Sequence, residues 1–300
     1  MGSQNFVKIL AIETSCDETA IALVDAKGGL RQPNFKVLKN IISSQIKIHR
    51  PFGGVVPSLA KREHLKNLPV VLQKALSPIL YGRTEWEMKE KLNNIGLIAV
   101  TVGPGLEPAL WTGINFAKEL AKKYKKPLIG VNHLEGHMYS FLLKQKAVIS
   151  KSEFRISNIY PAIVLIVSGG HTILIYQKNY DFSFSGLKTA VLYYLRDHPK
   201  IREKDVAASF QQAIIDVLIQ KTIRAASEYK VRSVILSGGV ASNKALQKRL
   251  RAECRKNKLS FLSAERKYQT DNAAMIAVAA YIGHLRGRKP RITAQANLNL

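Results

Sequence analysis

Cysteine is nearly absent from this chain: Cys16 and Cys254 lie far apart and form no CxxC pair. Disulfide stabilisation is therefore not expected, and the pattern suits a reducing compartment. No run of about 18 apolar residues occurs, so no membrane span and no membrane partner are expected. The N-terminus, MGSQNFVKIL, lacks a long apolar stretch with a small-residue cleavage site, and Phe6 stands where a myristoylation signal wants Ser or Thr. A cytoplasmic location is the expectation. Two nucleotide signatures are missing as well: without GxxxxGK[ST] there is no P-loop, and without GxGxxG no dinucleotide fingerprint. Acidic residues are scarce, 21 against 46 Lys and Arg, which leaves a net charge of +25. Such a field concentrates polyanions, with nucleic acid the first candidate and a simple solubility device the alternative. The basic residues are spread along the chain (Lys61, Arg62, KKYKK at 122–126, Arg249, Arg251, RGRK at 286–289). The partner should therefore meet a folded surface.

What is present reads as an α/β protein. VKILAIETS and TAIALVD are two β-rich runs separated by a polar turn, with a third run near VLKNIISS, as in a meander that opens a sheet. Helical spacing over 59–77, a lysine-rich helix or loop at 84–94, the apolar strand IGLIAVTVG, a helix over 109–124 and the strand PLIGVNH follow. The second half repeats the plan: AIVLIVSGG and TILIYQ as a hairpin-like pair, helices over 186–196 and 203–229, the strand SVILSGGV, the helix SNKALQKRLRAECRK and the short strand SFLSA. A last helix, TDNAAMIAVAAYIGHLRG, would start at Thr270 or Asp271 as N-cap. Two similar α/β lobes facing a cleft are expected, residues 1–130 and 131–300, with the boundary placed loosely near 130.

Chemistry concentrates at a few places. In NHLEGH the spacing of four puts His133 and His137 on one face of a helix, where both imidazoles could hold one metal; two surface histidines are the plain alternative. The zinc-protease pattern HExxH is not met, because Glu135 is shifted by one position, about 100° around the helix. Asp271 is a good cap on paper, yet two imidazoles and one carboxylate also make a three-ligand site with open positions, suited to iron or zinc. Three glycine turns follow buried strands, VGPG at 102–105, SGGH at 168–171 and SGGV at 237–240. They are either tight turns or cradles whose N–H groups approach a phosphate. Asp17 and Glu18 in the turn ETSCDET could orient a metal or accept a proton, or simply cap a hairpin. Asn243 could cap a helix or hold a ribose hydroxyl, and spacing favours the cap.

The stretches AIETSCDETAIAL, GGVVPSLAKREH, VTVGPGLEPALWTGINFAKELA, GVNHLEGH, IVSGGHT, DFSFSGLKTAV, LSGGVASNKALQ and TDNAAMIA occur in this order. Through them the chain resembles the TsaD family, the tRNA threonylcarbamoyladenosine synthase subunit once described as a glycoprotease, in its bacterial and organellar form. The resemblance implies two actin-like, Hsp70-like (RNase H-like) lobes that bind threonylcarbamoyl-adenylate and transfer the threonylcarbamoyl group to N6 of the adenosine just 3′ of the tRNA anticodon, in tRNAs reading codons that begin with A. By the same resemblance His133, His137 and Asp271 match the metal ligands of one divalent ion, iron ahead of zinc. Ile166, Val167, Ser168, Gly169, Gly170 and Asn243 match substrate contacts, and Asp17 and Glu18 match an acidic turn assigned to proton removal or to orienting the attacking amine. The partners implied are tRNA and the subunits TsaB and TsaE.

One departure is large. Where the family continues from SGGHT into a helix with a D-x-x-x-G-E-x-x-D-K pattern and a P-G-G turn, His171 here is followed directly by TILIYQKNYDFSFSG. The second lobe is thus shortened between about 176 and 181, which should weaken the grip on the adenylate. A non-catalytic tRNA-binding or scaffold paralogue is the alternative this departure raises. A small-molecule kinase of the same superfamily rests on fold analogy alone.

Overall fold

A computed structural model describes residues 6–77, 85–143, 156–168, 172–175, 185–288 and 291–300. The chain opens with β1 (Val7–Glu13), β2 (Glu18–Lys27) and β3 (Asn34–Ser44), then the short helix α1 (Ile46–His49) and a 3-10 turn, α2 (Pro57–Leu76) and α3 (Glu85–Asn93). Next come β4 (Leu97–Gly103), α4 (Glu107–Tyr124), β5 (Leu128–Asn132), α5 (His133–Tyr139) and α6 (Ile156–Ile159). The remainder is β6 (Ala162–Val167), β7 (Thr172–Ile175), α7 (Ser185–Asp197), α8 (Glu203–Glu228), β8 (Ser233–Ser237), α9 (Lys244–Lys256), β9 (Ser260–Ser263) and α10 (Ala273–Leu285). None of the described helices is long and apolar enough to cross a membrane.

The contacts divide the chain into two compact units, one of residues 1–156 with 264–300, the other of residues 157–263. This differs from a boundary near residue 130, and the reason is pairing: β5 is hydrogen-bonded in parallel to β4, so the chain at 130 is still inside the first sheet. The second break was invisible to a linear reading, because α10 returns from the far end of the sequence to cover that same sheet.

In unit 1 the strand order is β3-β2-β1-β4-β5, with β1, β2 and β3 antiparallel and β1, β4 and β5 parallel. Successive side chains of a strand point to opposite faces. Leu10, Ile12, Ile21 and Leu23 pack with Leu68, Leu72, Leu110 and Ile114 of α2 and α4 on one side. The opposite parity of β1, namely Ile9, Ala11 and Glu13, is fully buried as well, on the side taken by α10. Residues 273–282 of α10 are buried all round, as suits a helix with no polar stripe. Its actual N-cap is Asn272, whose side-chain oxygen accepts from the Met275 N–H at 3.0 Å. The expected caps Thr270 and Asp271 lie outside the helix, which leaves the Asp271 carboxylate free for other work.

Unit 2 has the order β7-β6-β8-β9, with β6 and β7 antiparallel and β6, β8 and β9 parallel. Ile163, Leu165 and Val167 join Ile215, Leu218, Leu236 and Leu246 in its core. Each unit is thus an actin-like α/β layer, the class expected from the alternating pattern.

Candidate metal centre

The centre is assembled at the carboxyl ends of parallel strands, the usual place for sites in α/β sheets. β5 ends at Asn132, whose Oδ1 accepts from the Leu134 and Glu135 N–H groups and so starts α5 where His133 and His137 share a face. Gly136 sits between them for a steric reason: a Cβ there would lie 3.0 Å from the Ile276 and Met275 side chains, which would have to give way to admit it. Without a side chain at that position α5 can press against α10. That close crossing carries both imidazoles to the residue just before the α10 cap, Asp271.

The ligand atoms of His133, His137 and Asp271 all lie within 4.8 Å of one another. Asp271 Oδ1 is 3.0 Å from His137 Nε2 and 3.5 Å from His133 Nε2, and the imidazole rings are 4.8 Å apart between centres at 88°. Ligands at zinc-like bond lengths stand about 3.0–3.4 Å apart in octahedral or tetrahedral shells, and the two carboxylate–imidazole separations are close to that, so this donor set could hold a single divalent ion. Both histidines are buried, whereas the Asp271 side chain keeps 21% of its surface exposed. The open side a reacting centre needs is therefore on the carboxylate.

Behind His133 stands a residue the sequence reading passed over. Glu13, fully buried, accepts from His133 Nδ1 at 3.0 Å, from the Thr101 hydroxyl at 2.6 Å and from the Ser15 N–H at 2.5 Å. Because a carboxylate only accepts, the His133 proton sits on Nδ1 and Nε2 is left to face Asp271, the usual arrangement of a carboxylate behind a ligating imidazole. Burial pushes the Glu13 carboxyl up, but the His133 charge and hydrogen bond outweigh it and hold it below its ordinary value. Asp271 is held well below its own despite burial, chiefly by His133, then by His137. His133 is raised well above the usual histidine value, the charges of Glu13 and Asp271 overriding its burial. A metal entering this site must displace a proton. Glu135 stays out of the cluster and pairs with Arg288.

The acidic turn lies close by in unit 1. Burial, then the Asp17 hydrogen bond and charge, push the Glu18 carboxyl up to about 9. Ser44 Oγ donates to Glu18 at 3.5 Å, and the Asp17 carbonyl accepts from the Gln45 N–H at 2.8 Å.

The glycine turns divide. At VGPG the Gly105 N–H already donates to the Ala296 carbonyl and the Leu106 N–H to the Ser15 carbonyl, while Pro104 has no N–H, so donors that a phosphate would use are taken. This turn is not an anion cradle. At SGGV, Gly238 has φ 89° and a Cβ there would collide with the Val167 carbonyl; the glycine serves close packing of the ends of β6 and β8. Of SGGH only Ser168 is described, and Gly169, Gly170 and the shortened stretch 176–181 lie outside the described residues. Ile166 and Val167 bury their side chains in the unit 2 core, so a ligand could meet only their main chain. Asn243 is a cap: its Oδ1 accepts from Ala245 and Leu246 N–H at 2.9 and 3.1 Å, while Nδ2 donates to Gln211 Oε1 at 2.8 Å.

The family model of TsaD, tRNA N6-adenosine threonylcarbamoyltransferase, matches residues 36–180 and 174–278. The tRNA N6-adenosine threonylcarbamoyltransferase of Thermosipho melanesiensis is 39% identical over 350 aligned positions, which cover 97% of this chain and 99% of that protein. Its namesake from Clostridium botulinum (strain Hall) is 36% identical over 357 positions, covering 98% and 97%. Both alignments exceed the 300 residues of the chain, so these relatives carry positions that it lacks, and the two matched pieces meet between 174 and 180. Among solved structures, the Listeria monocytogenes Lmo2764 protein, assigned as an N-acetylmannosamine kinase, gives a TM-score of 0.50 at 12% identity, covering 94% of this chain and all of the other. That likeness concerns the fold alone. Relatives aligned across nearly its whole length and a family model matched along most of it establish that the chain belongs to the TsaD family.

Proposed function

We propose that this chain transfers the threonylcarbamoyl group from threonylcarbamoyl-adenylate to N6 of the adenosine 3′ of the anticodon, in tRNAs reading codons that begin with A. The observation that carries the reading is the convergence of His133, His137 and Asp271, backed by Glu13, in a member of this family. These three residues would hold one divalent ion, with iron preferred to zinc. When bound, the ion supplies a positive centre that orients the oxygen atoms of the substrate.

The remaining roles belong to the chain itself. Glu18 keeps its proton up to about 9, so of the acidic pair it orients by donating; Asp17 then takes the proton released by the attacking amine. In unit 2 the main chain at Ile166, Val167 and Ser168, together with Gly169 and Gly170, would meet the adenylate. Asn243 gives one amide hydrogen to Gln211 and retains a second for a ribose hydroxyl. The +25 charge supports tRNA as the polyanionic partner. TsaB and TsaE complete the proposed assembly in a cytoplasmic setting. Leu65 and Val70, exposed on α2, offer apolar surface to a protein partner.

The shortened stretch after β7 favours a second reading, a tRNA-binding scaffold without transfer activity. Reconstitution with threonylcarbamoyl-adenylate, tRNA and the partner subunits, followed by mass spectrometry of tRNA nucleosides, separates the two. Threonylcarbamoyladenosine in the product is the expected result. Tight tRNA binding with no modified nucleoside under any combination would select the scaffold.

A further inference from the structure

Beneath the acidic turn lies a set of buried polar groups that the transfer scheme leaves unused. His64 and Gln45 are fully buried and His49 is 3% exposed, yet each of their ring and amide side-chain polar atoms has a partner. The Val56 N–H faces His49 Nδ1 at 3.3 Å, His49 Nε2 faces Gln45 Oε1 at 3.0 Å, Gln45 Nε2 faces His64 Nδ1 at 3.3 Å, and His64 Nε2 faces the Cys16 carbonyl at 3.0 Å. The Thr19 hydroxyl joins at His64 Nδ1, 2.8 Å away.

Chemistry fixes the direction of this chain from both ends. A main-chain N–H only donates, so His49 must accept at Nδ1 and carry its proton on Nε2. That makes the Gln45 oxygen an acceptor and its amide nitrogen a donor to His64 Nδ1. At the other end a carbonyl only accepts, which again requires the His64 proton on Nε2. Both ends demand the same tautomers, and burial, which lowers the His64 pKa, favours the neutral ring. Gln45 also donates its own N–H to the Asp17 carbonyl at 2.8 Å. Two successive carbonyls of the turn are thus held by one buried array.

We propose that His49, Gln45 and His64 are positioning residues whose fixed hydrogen-bond direction locks the Cys16 and Asp17 carbonyls and thereby aims the Asp17 and Glu18 side chains. The inference rests on the reading of Asp17 and Glu18 as the proton-handling pair. In a catalytic turn a small misplacement costs rate more than binding.

Nitrogen-resolved NMR of the full chain tests the relay without reference to activity. At about pH 8 both rings should show the tautomer with the proton on Nε2. A proton on Nδ1 of His64 overturns the relay. In the reconstituted assay His64→Leu should lower kcat on the order of 10- to 100-fold, with KM for tRNA and metal content unchanged. His64→Gln, whose amide can still donate to the Cys16 carbonyl, should recover most of that loss. Equal losses in both variants, an unchanged kcat in His64→Leu, or a rise in KM in place of the fall in kcat would overturn the positioning role. Asp17→Asn and Glu18→Gln in the same assay read the turn itself: if both are fully active, the assignment of the acidic pair fails while the tautomers still decide the relay.

Discussion

Unit 1 orders its sheet β3-β2-β1-β4-β5 and unit 2 orders its own β7-β6-β8-β9, so β6 and β7 stand where β1 and β2 do, β8 where β4 does and β9 where β5 does. Among the described residues nothing in unit 2 takes the place of β3, and the sequence there passes from β7 to α7 through the stretch where the two matched pieces of the family model meet. Both units gather polar groups at the carboxyl ends of their parallel strands. They use them differently. In unit 1 Glu13, His133, His137 and Asp271 are tied into one network. In unit 2 the corresponding strand ends carry a glycine contact and an engaged cap. A repeated topology thus supplies a place for a site, and side chains added from outside the strand pattern decide what it holds.

The largest test of this contrast compares Asp271→Ala with Asn243→Ala in the reconstituted transfer assay. Loss of the metal ligand should lower the rate on the order of a hundredfold or more, and loss of the unit 2 amide by less than about tenfold, the worth of one neutral hydrogen bond. Comparable losses would erase the distinction between the units. Next is Glu13→Gln, which keeps the shape but weakens the hold on His133. Metal affinity measured by competition with a chelator should fall about 10- to 100-fold. Because His133 must shed a proton to bind and its pKa is raised, affinity in the wild type should also decline as pH is lowered, beginning above the ordinary histidine range.

A third experiment repairs unit 2. Replacing residues 176–184 with the corresponding segment of the Thermosipho melanesiensis relative should raise affinity for a non-hydrolysable adenylate analogue about tenfold by calorimetry, roughly 1.4 kcal/mol. No change would mean that the shortened stretch is not what distinguishes the units. Smaller still, Asn272→Ala and Asn243→Ala should each cost about 1 kcal/mol in chemical denaturation as lost caps. Only the former should alter metal binding, because Asp271 hangs on that cap. Last, Glu18 keeps its proton in the folded chain up to about 9, against 4.5 for an ordinary carboxyl exposed in the unfolded chain. Wild-type stability should therefore fall as pH rises through that interval, and Glu18→Gln should flatten the trend.

Much of this was legible in the sequence, for identifiable reasons. Apolar runs bounded by glycine or polar turns marked the strands, and the spacing in NHLEGH placed two imidazoles on one helical face. The boundary near 130 went astray because strand pairing and the return of α10 are long-range events with no local signal. Asp271 read both as a cap and as a third metal ligand, because Thr270, Asp271 and Asn272 are all good caps by residue type, and only backbone geometry chose Asn272. Glu13 was missed although it had left a trace. It has the parity of Ile9 and Ala11, so a charged residue occupied a position that alternation puts in the core. The partner that explains it, His133, is far along the chain. His49 and His64 left less of a trace, since a single buried histidine looks like a surface one until its neighbours are known.

The account stands on one ion held by His133, His137 and Asp271. Metal analysis of the purified chain after loading with iron or zinc and removal of excess, set beside the His133→Ala, Asp271→Ala double variant, tests it most directly. One ion per wild-type chain and essentially none in the variant is the predicted result; equal metal in both, or none in the wild type, would contradict it.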